Sequence, residues 1–222
     1  MKNYNLKFKT GFYFLVVIFT FSFLFFHLVT AQATPEFMVS WKADSYVPSD
    51  YRGKILPSPS SSIEMAFELI DGGRIANISN NQVRWYVNGR LYRSGAGLKS
   101  ITYVPAQFDR QNREAHIEII GYRGLNLEKR FTVPVAEPSV VIVPISQNEF
   151  RALPYFFNIS SFNQLQFDWR ANDLAPENIA EHPDLLTLSN LAPGLPISLS
   201  VTVKNLNEIL EIAGTSLNFI TQ

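Results

Sequence analysis

The chain has 222 residues, in which 19 Lys and Arg balance 19 Asp and Glu, and it contains no Cys. Zero net charge argues against a nucleic-acid partner, which needs surplus cations to displace counterions. The lack of Cys excludes disulfides, thiolate metal sites, Cys nucleophiles and Cys-linked lipids. A hydrophobic content of 46% excludes wholesale disorder and supplies a core for one or two domains.

Met1 to Lys9 carries Lys2, Lys7 and Lys9 and no acid, and Gly11 to Val29 is almost wholly apolar. Ala31-Gln32-Ala33 then places small residues at the −3 and −1 positions of a cut after Ala33. Basic start, apolar middle and A-x-A end form a secretory signal peptide over residues 1–33. The competing reading is an uncleaved anchor, because the apolar run is about as long as a bilayer is thick. Either way the expected location is outside the cytoplasm: extracellular, cell-surface or periplasmic. The membrane is touched only through this N-terminal segment.

The rest reads as short strands between turn residues. Phe37 to Trp41 is apolar and extended, and Ser45 to Ser62, with Pro48, Pro57 and Pro59, is a loop. Ile63 to Ile70 alternates, with Ile63, Met65, Phe67 and Leu69 on one face; this period of two marks a half-buried strand. Asp71-Gly72-Gly73 is a turn. Val83 to Val87 alternates again, and Asn88-Gly89 is a strong hairpin signal, because both residues tolerate positive φ. Leu91 and Tyr92 begin the return strand, Gly95 and Gly97 break it, and Lys99 to Val104, His116 to Tyr122 and Glu128 to Val135 follow as strands. Val133 to Pro144 reads as a stiff, Pro-marked connection split at Pro138.

A second unit then repeats the order. Tyr155 to Ile159 is a strand, and Leu165, Phe167 and Trp169 alternate like Val83, Trp85 and Val87. Asn163 to Phe167 is too short for a helix, and Pro176 to Ala180 has room for one helical turn. Leu185 to Leu188, Ile197 to Lys204, Glu208 to Ile212 and Ser216 to Ile220 complete the strands. Trp85 and Ile117 lie 32 residues apart, Trp169 and Leu199 lie 30 apart. The expectation is an all-β chain of two tandem antiparallel sandwiches, over 34–137 and 138–222, with Trp85 and Trp169 inside.

Phe167-Asp168-Trp169 with Ile197 to Asn205 resembles the PKD-type branch of Ig-like domains, which carries an F-x-W strand and a late alternating strand ending in Asn. Val83 to Gly89, followed by Gly95 and Gly97, resembles the W-x-x-N-G pattern of the same branch. WYVNG and WRANDL stand where that family has W-D-F-G-D-G, which leaves PKD-type and another Ig-like branch both open. The resemblance implies non-catalytic sandwiches of bacterial cell-surface and secreted proteins. It implies protein or glycan contacts and spacing roles, and no active site.

Few residues invite chemistry. His116 opens a strand, and His182 sits in the loop Glu181-His182-Pro183-Asp184; no G-x-S-x-G elbow or metal-ligand His pair accompanies them, so no catalytic residue is assigned. Asp168, Asp173, Glu177, Glu181 and Asp184 are the one place for Ca²⁺, but without a D-x-D-x-D-G pattern a solvated loop is favoured and no cofactor is expected. The candidate partner-contact loop comprises Trp41, Tyr46, Tyr51, Arg52 and Lys54, since aromatics beside Arg suit a contact patch. Its bland alternative is a loop folded over a sandwich edge, with Tyr46 covering apolar surface. The leading functional reading is a non-enzymatic exported interaction or spacer module whose partner is a protein or glycan of the envelope. The alternatives are a carbohydrate-binding module and an envelope-complex subunit held by an uncleaved N-terminal helix.

Overall fold

A computed structural model describes residues 34–105, 110–172, 174–176, 182–189 and 192–221. The signal-peptide segment, and the expected helical turn from Glu177 onward, lie outside them. The fold is all-β. Strands β1 (Glu36–Ala43), β2 (Ile63–Asp71), β3 (Arg74–Ile75), β4 (Gln82–Val87), β5 (Arg90–Ala96), β6 (Ser100–Tyr103), β7 (Arg113–Tyr122) and β8 (Leu125–Val133) come first. β9 (Ser139–Pro144), β10 (Glu149–Tyr155), β11 (Leu165–Ala171), β12 (Leu185–Thr187), β13 (Pro196–Asn205) and β14 (Ile212–Ile220) follow. Among the described residues the longest helical piece is a single 3₁₀ turn at Phe162–Gln164, and no helix is long and apolar enough to cross a membrane.

The first sandwich has one sheet with β2 between β1 and β6, and a second ordered β5-β4-β7-β8. The alternation in β2 buries Ile63, Met65 and Phe67, and Phe67 meets Trp85 of the opposite sheet at 5.7 Å between ring centroids. Asn88 and Gly89 turn β4 into β5 with φ of 49° and 74°, the pair of left-handed residues that a two-residue hairpin needs. Leu69–Ala76 groups apart from the compact unit that holds Phe37–Glu68 and the chain from Asn77 onward; its strands meet at Ile70 and Ile75.

The second sandwich packs sheet β12-β10-β9 on sheet β11-β13-β14. One buried cluster joins Val140, Ile142, Phe150, Ala152 and Leu186 to Phe167, Trp169, Leu199, Val201 and Val203. No strand of β1–β8 pairs with a strand of β9–β14 among the described residues.

Four expectations are corrected. Residues Ser139–Pro144 are a strand rather than a connection, paired with β10 from Pro144↔Phe150 to Ser139↔Tyr155. The strand expected at Tyr155 to Ile159 begins earlier, at Glu149, and ends at Tyr155. Pro154 is tolerated there because Ile145 N–H bonds Glu149 C=O, which sets the odd-numbered residues of β10 toward β9. The missing donor of Pro154 therefore faces the other way, beyond the last β12 pair, Leu185↔Arg151, and no ladder bond is lost. Glu208 to Glu211 is a turn, bonded Glu211 N–H to Glu208 C=O and Asn205 N–H to Glu211 C=O, so β14 starts only at Ile212. β5 runs through Gly95 and stops at Gly97, whose φ is 62° and where an added Cβ would lie 2.9 Å from Ser79 Cα.

The internal repeat is tighter than the sequence spacing indicates. Trp85 faces Ile117 across β4 and β7, whereas Trp169 faces Val201, not Leu199, across β11 and β13. Both pairs are thus 32 residues apart, and every equivalent pair of residues is offset by 84 positions. The offset also relates Asn88 to Asn172. Each adopts a left-handed φ, 49° and 48°. Each exchanges backbone and side-chain hydrogen bonds with the returning strand, Asn88 with Glu114 and Asn172 with Ser198. Each tryptophan donates its indole N–H to a loop carbonyl, Leu98 at 3.0 Å and Pro183 at 3.1 Å. Both are buried, at 0% and 4% exposure.

Candidate functional site

The five sequence-predicted contact residues separate into two groups. Trp41, at the end of β1 with alternate residues turned outward, is half-buried, and Lys54 Nζ sits 3.6 Å from its ring centroid, a cation on the negative face of the indole. Tyr51 donates its hydroxyl to Lys54 C=O at 3.2 Å, which holds the loop that carries Lys54. Arg52 between them is exposed.

Tyr46 goes elsewhere. Its N–H bonds Phe157 C=O at 2.7 Å and its C=O accepts from Phe156 N–H at 2.6 Å, a one-residue antiparallel bridge. Its ring lies 5.9 Å from Phe162 and packs on the core of the second sandwich. Burial raises its hydroxyl pKa above the ordinary phenol value, helped by the negative charge of Asp184. The loop thus covers apolar surface, as the bland alternative has it, but the surface belongs to the second core.

Two residues that the sequence did not single out complete the patch. Tyr155 and Phe156, at the end of β10, each approach the Tyr51 ring edge-on with centroids 5.9 Å away. All three rings are half-buried. Phe156 has φ of 60°, a left-handed conformation that is uncommon for a bulky residue and is held here by its bond to Tyr46. The signal in the sequence is the pair of adjacent aromatics after Pro154, which a strand over Tyr155 to Ile159 would split between its two faces.

A buried carboxylate ties the segment that follows Phe156 to the turn before β14. Glu211, 6% exposed, accepts from Asn158 N–H at 2.8 and 2.9 Å and from Asn205 Nδ2 at 2.7 Å. Asn158 Nδ2 in turn donates to Ser60 C=O at 3.4 Å, and Ala136 N–H to Pro57 C=O at 2.9 Å. Burial raises the pKa of Glu211 above the usual carboxylate value, against the lowering effect of these hydrogen bonds.

The remaining candidates are polar surface. His116 stacks on Tyr86 at 5.1 Å and its Nε2 lies 3.0 Å from Glu128, on the outer face of β7; His182 is exposed. Of the acidic stretch, Asp173, Glu177 and Glu181 lie outside the described residues. Asp168 pairs with Lys204 at 2.9 Å and Asp184 with Arg151 at 3.3 Å. Among the described residues no group of three His, Asp or Glu is placed to hold a metal ion.

No protein-family model matches the chain, and no curated protein matches it significantly. Similar solved structures include the fibronectin(III)-like modules of Clostridium thermocellum CbhA, at 13% identity over 83% of this chain and 94% of that one, with a TM-score of 0.30. The central fibronectin-III array of RIM-binding protein is 13% identical over 81% of this chain and 68% of that one, with a TM-score of 0.29. SGBP-B of the Bacteroides ovatus mixed-linkage glucan utilization locus, in complex with mixed-linkage heptasaccharide, is 13% identical over 85% of this chain and 48% of that one, at 0.29. Likenesses this low carry no functional argument. The sheet topology and the two buried cores by themselves make the chain an all-β protein of tandem Ig-like sandwiches.

Proposed function

We propose that the protein is an exported, non-enzymatic interaction module that contacts a protein partner at the cell envelope through the patch of Tyr51, Tyr155 and Phe156 flanked by Arg52. In this reading residues 1–33 are a cleaved signal peptide, Pro138 separates the two sandwiches, and both are of the PKD-type branch seen on bacterial surfaces. One observation carries the proposal. Three half-exposed rings from two segments meet, Tyr51 packing edge-on against the adjacent Tyr155 and Phe156, and Phe156 is held at a strained φ. Rigid aromatics next to an exposed Arg are the usual anchors of a protein contact. Asn158, two residues after Phe156, is tied to Glu211 and to Ser60 of the loop that carries Tyr51, so the patch is preorganised.

The test is binding of the labelled chain to envelope fractions of its host. Tyr51→Ala is expected to weaken binding about tenfold, the loss of one aromatic anchor. Protease treatment of the fraction should abolish binding and periodate treatment should spare it. Unchanged binding by Tyr51→Ala rules out the patch as the contact.

The carbohydrate-binding reading keeps one observation in its favour, the accessible aromatic rings. Against it, Lys54 covers a face of Trp41 on which a sugar would stack. It predicts a glycan-array signal that Trp41→Ala removes. The anchored-subunit reading predicts an intact Met1 by mass spectrometry of membrane fractions.

A further inference from the structure

The aromatic patch is shared between the two sandwiches. Tyr51 comes from the loop between β1 and β2, whereas Tyr155 and Phe156 come from the end of β10. That loop is an arm closed on itself. Asp44 N–H bonds Ser62 C=O across its base, the Ser45 hydroxyl bonds Leu56 C=O, and Ser61 N–H bonds Ser58 C=O. The connection between the sandwiches is tied to the arm as well, through Ala136 N–H to Pro57 C=O. The arm then docks on the second sandwich. Tyr46 exchanges backbone bonds with Phe157 and Phe156, its ring packs on the second core, and Ser60 C=O accepts from Asn158 Nδ2. Among the described residues no strand of one sandwich pairs with a strand of the other.

Docking imposes a conformation that the docked segment does not favour by itself. Phe156 has a φ of 60°, and its N–H is held at 2.6 Å by Tyr46 C=O. A bulky side chain at that angle persists only where its surroundings enforce it. Withdrawal of the arm removes the enforcing bond, so Phe156 relaxes to an extended backbone and its ring turns. The same withdrawal carries Tyr51 away, because Tyr46 and Tyr51 sit on one arm. Both halves of the patch are therefore lost in a single step, and the relief of strain at Phe156 favours that step.

We infer that the patch is a switched site: it exists only while the arm of the first sandwich is docked on the second, so partner binding and docking are linked. The inference rests on the reading of Tyr51, Tyr155 and Phe156 as the contact and adds how that contact is regulated. A partner that needs all three rings binds the docked form alone, and by linkage it tightens docking by the factor by which docking tightens binding. Tyr46, which is not part of the patch, is then a positioning residue for it.

The experiment uses the full chain, which has no Cys, with spin labels on Ser94→Cys and Asn218→Cys, exposed positions of β5 and β14. Their separation, read by double electron–electron resonance, should be one narrow distribution. Tyr46→Ala takes the ring off the second core and should add a second, displaced population. Asn158→Ala keeps its N–H bond to Glu211, loses only the tie to Ser60, and should do the same to a smaller degree. A variant counts as folded when iodide leaves as much tryptophan fluorescence shielded as in the unsubstituted chain. Addition of the host's envelope fraction should return the displaced population to the original distance. If docking falls to about one tenth of the molecules, Tyr46→Ala should bind that fraction about tenfold more weakly. A narrow distribution in every folded variant overturns the inference, and so does a displaced population in Tyr46→Ala with undiminished binding. Undiminished binding by Tyr51→Ala, which keeps the Tyr46 bridge, overturns the patch as the contact and the switch with it, whereas the distances report docking in either case.

Discussion

Replacing Glu211 with Ala removes the acceptor for two donors, Asn158 N–H and one hydrogen of Asn205 Nδ2. Each bond to a charged acceptor contributes about 1.5–3 kcal/mol, and a buried donor left without a partner loses that in full. The variant also relieves the cost of burying a carboxylate that has no basic group among its partners, which returns about 1–2 kcal/mol. The net expectation is a loss of about 3 kcal/mol, or roughly 6–12 °C in Tm for a chain of this size. Urea unfolding followed by Trp169 fluorescence measures it. The pH dependence gives a second check. Burial raises the folded-state pKa, so the folded chain binds this proton more tightly than the unfolded chain. The stabilisation is full below the unfolded carboxylate range and falls as pH rises through the raised value. The penalty of Glu211→Ala should therefore be larger in acid than at neutral pH. A loss under about 1 kcal/mol, or a penalty that grows with rising pH, refutes the assignment of Glu211 as the fastener of these loops.

Other substitutions test the rest. Trp169→Phe loses the indole bond to Pro183 and leaves a void in the second core, for an expected cost of about 2–3 kcal/mol by urea unfolding; Trp85→Phe should behave alike in the first. Iodide should quench Trp41 while sparing Trp85 and Trp169, and quenching of all three would contradict the buried cores. Asn172→Ala should cost about 1–2 kcal/mol and Asn172→Gly less, because glycine accepts the left-handed φ that alanine resists; equal losses would remove backbone conformation as the reason. The pKa of Asp168 is lowered chiefly by its hydrogen bond from Lys204. Its contribution is present above the ordinary carboxylate pKa and lost as pH falls through the lowered one, so Asp168→Asn should flatten the acid limb of the stability curve, and an unchanged limb counts against the pair.

The all-β class, the alternation in β2, β4, β11 and β13, the Asn88-Gly89 hairpin and the burial of Trp85 and Trp169 were legible in the residues alone. Each follows from a local rule: side chains alternate along a strand, and two adjacent residues that accept positive φ make a tight turn. Of the contact loop, Trp41, Tyr51, Arg52 and Lys54 were legible as residue types, and Trp41 and Lys54 meet. The placement of Tyr46 on the second core, and of Tyr155 and Phe156 beside Tyr51, was not, because those contacts join segments about 100 residues apart. Strand status in β9 and β10 also waited for the tertiary structure, since a proline is compatible with a strand only when its absent donor faces an edge, and partners decide which side is an edge.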